Sequence, residues 1–162
     1  MKPFIRFISL GFVAGVLLNC SLYAQDDSGE DSTDQINSAI DSQEYVFIAN
    51  TALPQRGRSI HLTSRYDLMI SKDSIVAYLP YFGRAYSAPI GTTDSGIKFT
   101  STDFEYTVNK RKKGRWQIEI KPNDVQSVQQ LSLSVSRDGY ANLQVTSTNR
   151  QSISFNGNVT TR

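Results

Sequence analysis

The sequence predicts a mainly β protein, an antiparallel meander closed into one small β-barrel, with a single short helix ahead of it. Three observations predict it. From Tyr45 onward apolar residues recur at every second position, which places alternate side chains on opposite faces of a sheet. Short turn-forming segments separate these runs and no helical period intervenes, so a parallel α/β sheet is excluded. The runs amount to about nine or ten strands, enough to close a barrel and so remove exposed edges; a two-sheet sandwich is the other arrangement they allow.

The first 24 residues read as an export signal: Lys2 and Arg6 give a positive start, Phe7 to Leu18 an apolar run, and Leu22-Tyr23-Ala24 a cleavage site. That apolar run is shorter than the roughly 20 residues a membrane-spanning helix needs, so no span is expected after cleavage. The expected location is the periplasm or cell envelope. Leu17-Leu18-Asn19-Cys20 also has the outline of a bacterial lipoprotein box, in which Cys20 becomes the lipidated first residue, although Asn19 fits such a box poorly. Cleavage after Ala24 leaves a mature chain without cysteine, which excludes disulfides, thiol nucleophiles and cysteine metal sites together.

The mature chain of 138 residues has the size of one domain. Residues 25–43 form an acidic lead and residues 44–162 the barrel. Gln25 to Glu44 carries seven acidic residues and no Lys or Arg, whereas from Tyr45 onward 15 Lys and Arg face 8 Asp and Glu. Few apolar residues offset ordering entropy between Gln25 and Asp31, so a flexible spacer is expected there. Ser32 with Gln35 has the capping-box pattern, and Ile36, Ala39 and Ile40 recur at helical spacing, which predicts a helix from Thr33 to about Ser42. Disorder through Gln43 is the alternative, since an isolated helix of about ten residues is marginal.

The strands then follow in order. Tyr45 to Ala49, Ile60 to Leu62, Tyr66 to Ile70, Ile75 to Leu79 and Ile97 to Phe99 read as short strands, with Lys72-Asp73-Ser74 turning one into the next. Phe104, Tyr106 and Val108 alternate with polar residues, as do Trp116, Ile118 and Ile120, and the charged, Gly-containing Lys110–Arg115 segment makes them a hairpin. Leu131 to Val135 and Ala141 to Val145 flank Asp138-Gly139, a pair that tolerates the positive φ angles of a tight primed turn. Ile153 and Phe155 begin a last strand.

Tyr78 to Pro89 departs from this regularity, with Tyr78, Tyr81, Phe82 and Tyr86, two prolines and Gly83 in one stretch. Pro80 cannot donate to a sheet ladder, so the strand ending at Leu79 stops or bulges there. Gly83 permits a close approach closed to other residues. The four rings are the candidate ligand-binding residues, as an aromatic lip at the barrel mouth; the alternative is a bulged corner whose rings plug the barrel end.

The ordered blocks YVFIANTALP, YLPYFGRAYSAP, GIKFTSTDFEY, KKGRWQIEI and SRDGYANLQVTSTNRQSISFNG resemble a family of small exported bacterial proteins catalogued as domain of unknown function 4251. LPYFGRAY, Leu79 to Tyr86, is the most specific of them. The resemblance implies a lipocalin-like (calycin-like) barrel and an envelope location. It implies no activity and assigns no functional residue.

Catalytic patterns are sparse. His61 is the single histidine, between Ile60 and Leu62, so a multi-histidine metal site is excluded, and no Gly-x-Ser-x-Gly elbow accompanies it. Asp103 and Glu105 share one face of a strand but alternate with the apolar residues, so they are expected in solvent. No phosphate-binding glycine pattern precedes a helix. The expectation is a protein that is not an enzyme and has neither cofactor nor metal. Lys110, Arg111, Lys112, Lys113 and Arg115 form a basic patch that could meet anionic headgroups, the acidic lead or nothing but water.

The function expected is a binding module for a small apolar or amphipathic ligand. The alternative is a structural or interaction protein of the envelope with a filled barrel, docking through the basic hairpin. A small ligand or an envelope protein is the expected partner, nucleic acid is not, and the protein is expected to be a monomer. The contents of the barrel decide between container and interaction protein.

Overall fold

A computed structural model describes residues 28–86 and 96–162. The leader, its cleavage after Ala24 and the Cys20 alternative lie outside the described residues, as do Ser87 to Pro89 of the aromatic segment. Helix α1 (Ser28–Ser42) is followed by β1 (Tyr45–Pro54), β2 (Ile60–Ile70), β3 (Ile75–Leu79), β4 (Ile97–Ser101), β5 (Phe104–Arg111), β6 (Arg115–Pro122), β7 (Val128–Val135), β8 (Tyr140–Ser147) and β9 (Ile153–Thr161). The strands form one antiparallel sheet in the order β4-β3-β2-β1-β9-β8-β7-β6-β5. It curls into a nearly closed barrel, as the alternating pattern predicts.

Because each neighbour in that order is antiparallel and nine strands are described, the two outermost strands, β4 and β5, run in the same direction. They are consecutive in the chain and separated only by Thr102 and Asp103, so they are two halves of one bent strand. The first half pairs with β3 and the second with β6. A strand that changes partners at a bend is one way a sheet turns a corner. Asp124, in the β6–β7 loop, staples this bend: Ser101 Oγ donates to its Oδ1 at 2.5 Å, and the Thr102 and Asp103 backbone amides donate to its Oδ2 at 2.9 and 3.3 Å. Asn123 adds a backbone bond to the Asp103 carbonyl at 2.8 Å and a side-chain bond to the Asp103 carboxylate at 3.0 Å. The hydrogen bond from Ser101, followed by that from the Thr102 amide, holds the Asp124 carboxyl below its ordinary value of 3.8.

The helix begins at Ser28, earlier than the Thr33 expected, so the expected spacer is helical from Ser28 to Asp31 and Ser32 sits inside the helix instead of capping it. Ile36, Ala39 and Ile40 are buried in the barrel's hydrophobic cluster, which supplies the stabilisation an isolated helix lacks, about 1.5–3 kcal/mol for each isoleucine. The helix closes in a Schellman motif, with Gln43 at φ 56° and hydrogen bonds from the Gln43 and Glu44 amides to the Ile40 and Ala39 carbonyls at 3.2 and 3.0 Å.

The two short strands expected at Ile60–Leu62 and Tyr66–Ile70 are one strand, β2, because Thr63, Ser64 and Arg65 contain no breaker and continue it. Its pairing with β1 jumps from Ala49↔Tyr66 to Thr51↔His61, so β2 arches outward there. The Asp138-Gly139 hairpin forms with a longer loop than a primed pair. Ser136 N–H bonds the Tyr140 carbonyl at 2.8 Å and Gly139 N–H bonds the Ser136 carbonyl at 3.0 Å, and of Arg137, Asp138 and Gly139 only the glycine has positive φ, at 81°. That is a type I turn followed by a left-handed glycine, because the ladder reaches Ser136 and Tyr140 and leaves three residues between them. At the β5–β6 tip Lys113 and Gly114 both have positive φ, 65° and 63°.

Buried side chains pack together inside the barrel. Phe47, Leu68, Ile118, Leu131, Leu143 and Phe155 are fully buried within one connected hydrophobic cluster that includes the helix stripe. Near α1 the hydroxyls of Tyr45 on β1 and Tyr106 on β5 meet at 2.9 Å across the interior. Burial pushes the Tyr106 hydroxyl up to about 12 and Tyr45 well above its ordinary 10.0. The β1–β9 ladder joins the first strand to the last, and Gly157 is required within it, since a Cβ there would run into the Ile48 carbonyl. Among the described residues no helix is long and apolar enough to cross a membrane.

Two pH effects follow. A carboxylate whose folded pKa is lowered stabilises the fold above its ordinary value of 3.8, and that contribution disappears as pH falls through the lowered value. Asp124→Asn should therefore lower the melting temperature at neutral pH and flatten its decline in acid relative to wild type. A tyrosine whose folded pKa is raised stabilises below its ordinary 10.0 and ceases to as pH rises toward about 12. Ultraviolet tyrosinate absorbance should show a late fraction in that alkaline range, reduced in Tyr106→Phe.

Candidate functional site

After Leu79 the chain leaves the sheet at Pro80, as its missing amide hydrogen requires. It then lays Arg84 to Tyr86 along the β8–β9 turn: Ala85 bridges Arg150, Tyr86 N–H bonds the Asn149 carbonyl at 2.8 Å, and Gln151 N–H bonds the Arg84 carbonyl at 3.1 Å. This strap ties β3 to the far side of the barrel, at the end opposite α1. Tyr81 anchors it. Its ring is only 9 % exposed and joins the core, and its hydroxyl donates to the Arg84 carbonyl at 2.9 Å, with the Gln151 carbonyl at 3.1 Å. The Arg150 guanidinium lies 4.8 Å from the ring centroid. Burial raises the Tyr81 pKa above 10.0, and the positive charge of Arg150 opposes that rise. Gly83 is needed because a Cβ there would sit 2.7 Å from the Tyr81 hydroxyl.

The four aromatics singled out by the sequence divide between different tasks. Tyr78, one residue before β3 ends, points outward at 45 % exposure and stacks on Tyr66, with centroids 5.7 Å apart and ring planes at 18°. Lys98, its partner across the β3–β4 ladder, places Nζ 4.6 Å from the Tyr78 centroid. A groove of about 210 Å³ opens here, walled by Tyr66, Tyr78, Pro80, Tyr81, Phe82 and Lys98. Phe82 is half-buried and leans on the core. Tyr86, 71 % exposed, does not line this groove. Three of the four candidates thus line one groove at the rim. Tyr66 and Lys98 escaped the sequence reading because only strand register brings them to Tyr78.

The basic patch lies at the other end. Lys110 reaches Asp41 of α1 at 3.6 Å, so one cation of the patch does meet the acidic lead, in an exposed pair of small energetic weight. Arg111 and Arg115 face each other directly across the hairpin, a repulsive pairing. Lys112 and Lys113 are exposed at the tip. A groove of about 670 Å³ runs between this tip, Thr33 of α1 and the Arg137-Asp138 turn, and a second of about 410 Å³ continues over Ser134, Tyr140, Asn142 and Asn156. Arg115 and Ser136 line both.

His61 is exposed on β2, and Asp103 and Glu105 are exposed, Asp103 being engaged by Asn123 at the bend. Among the described residues, no group of three or more His, Cys, Asp or Glu is arranged to hold a metal ion.

The family model described as Domain of unknown function (DUF4251) matches residues 27–159. Among solved structures, a DUF4251 family protein from Bacteroides eggerthii DSM 20697 superimposes with a TM-score of 0.64 at 18 % sequence identity, covering 81 % of this chain and 88 % of that one. At that identity the likeness concerns the fold. No curated protein matches the sequence.

Gly83→Ala should force the Tyr81 hydroxyl from its two carbonyls at a cost of about 1–3 kcal/mol. Urea denaturation measures it, and Tyr81→Phe, which removes the same bonds without a clash, should lose less.

Proposed function

The chain belongs to the DUF4251 family, and we propose that it is an exported, non-enzymatic binding module of the cell envelope that works from the outside of a filled barrel. The ligand is a small apolar or amphipathic molecule held in the rim groove of Tyr66, Tyr78, Phe82 and Lys98. The observation that carries this reading is the Tyr66–Tyr78 stack, with Tyr78 presented to solvent under the Lys98 ammonium. An exposed ring stack offers area to an apolar or sugar-like face, and the adjacent cation suits a polar end. The packed interior supports moving recognition from the lumen to the rim. A positively charged start followed by an apolar run supports export. The exposed, solitary His61 supports a role without chemistry.

Tyr78 is exposed, so Tyr78→Ala should leave the melting temperature nearly unchanged while weakening ligand binding about tenfold, the loss expected for a ring contact with a cation–π component. Native mass spectrometry of the protein purified from its own host, followed by nuclear magnetic resonance titration with an alkyl glycoside, checks this. Unbound protein together with no shift at Tyr66, Tyr78 or Phe82 would defeat the reading.

A further inference from the structure

We infer that the confluent groove between the two hairpin tips, at the end of the barrel that α1 covers, is a separate binding site for an acidic saccharide. Three features of its wall, each of a different chemistry, carry this. Lys113, Arg115 and Arg137 supply positive charge, opposed locally by Asp138, which stands 3.9 Å from Arg137 in an exposed and weak pair. Arg115 is also held opposite Arg111, and an anion received here relieves their repulsion. Guanidinium groups match a carboxylate in bidentate geometry, which favours an acid as the ligand's charged part.

Ser136 supplies the second feature. Its Oγ is buried and makes no hydrogen bond, a rare condition for a hydroxyl in a folded protein. Val135 before it points into the barrel, so Ser136 is on the outward alternation, and it lines both grooves. Tyr140 supplies the third, a ring 69 % exposed beside the Asn142 and Asn156 amides, which bond each other at 2.8 Å. A flat ring next to amides and a hydroxyl suits a pyranose, one face of which is apolar while its edge carries hydroxyls. The lining mixes apolar surface, the Tyr140 ring included, with the polar groups of Ser134, Ser136, Asn142 and Asn156, a combination that matches the apolar face and hydroxyl edge of a sugar. The combined grooves, about 670 and 410 Å³, have room for more than one sugar unit.

The test is calorimetric titration of the full mature chain with trigalacturonate, alongside maltotriose as its neutral counterpart, a tetra-aspartate peptide and phosphatidylglycerol vesicles. Trigalacturonate should bind, weaken with added salt, and lose about tenfold in affinity in the Arg115→Ser, Arg137→Ser double variant. Ser136→Ala should weaken binding several-fold while leaving the melting temperature equal or higher, because it removes an unsatisfied hydroxyl; a structural serine would give the opposite pair of results. Tyr140→Ala should weaken binding with Tyr78→Ala unaffected, which separates this site from the rim groove. The inference is overturned if trigalacturonate and its sulfated and sialylated counterparts fail to bind at millimolar concentration, if binding survives all three variants, or if the peptide or the vesicles bind this groove in preference to the saccharides.

Discussion

The barrel depends on one bend. β4 and β5 are halves of a single strand that leaves β3 and takes up β6 within two residues, so chain continuity bridges the seam between the sheet's outermost strands. Ser101, buried on β4, and the amides of Thr102 and Asp103 all converge on the Asp124 carboxylate, which satisfies backbone groups that the change of partner takes out of the ladder. Opening the bend would expose Ile97 and Phe99 on one arm and Tyr106 and Val108 on the other, the apolar faces that close the core. The hydrophobic packing and this polar staple are therefore one cooperative arrangement. Neither holds its geometry without the other.

Most of the architecture was legible in the sequence because strand periodicity is a local property. The hairpins at Lys112–Gly114 and Arg137–Gly139 and the stripe Ile36, Ala39 and Ile40 declared themselves through spacing and turn chemistry. The packing of α1 was not legible, since the strands that bury Ile36, Ala39 and Ile40 are remote in sequence. Nor was the bent strand, because nothing in Ser101 to Phe104 names Asp124 as its partner. In the rim site the aromatic run was plain, yet its division at Pro80, Tyr78 outward and Tyr81 inward, follows from where the β3 ladder ends. Tyr66 and Lys98 enter through register alone.

The two ends of the barrel are finished in different ways. At one, α1 lies over the Tyr45–Tyr106 hydroxyl pair; at the other, the strap from Tyr81 to Tyr86 is sewn to the β8–β9 turn by backbone hydrogen bonds. Both closures use groups that point inward. A filled barrel in this arrangement is a rigid mount, and sites carried on strands and short turns hold their geometry better than sites on long loops.

The β1–β9 ladder has a consequence for how the chain acquires its shape. Every other ladder of the sheet joins strands adjacent in sequence, whereas β1 must wait for residues 153–161, at the far end of the chain. As the chain folds, the segment β1–β4 can form its meander early, but it carries an unpaired hydrophobic edge at β1 until β9 pairs with it. Closing so long a loop is the entropically costly step among ladders that otherwise join neighbouring strands. Formation of β9 is thus the step at which an adhesive half-barrel becomes a closed one.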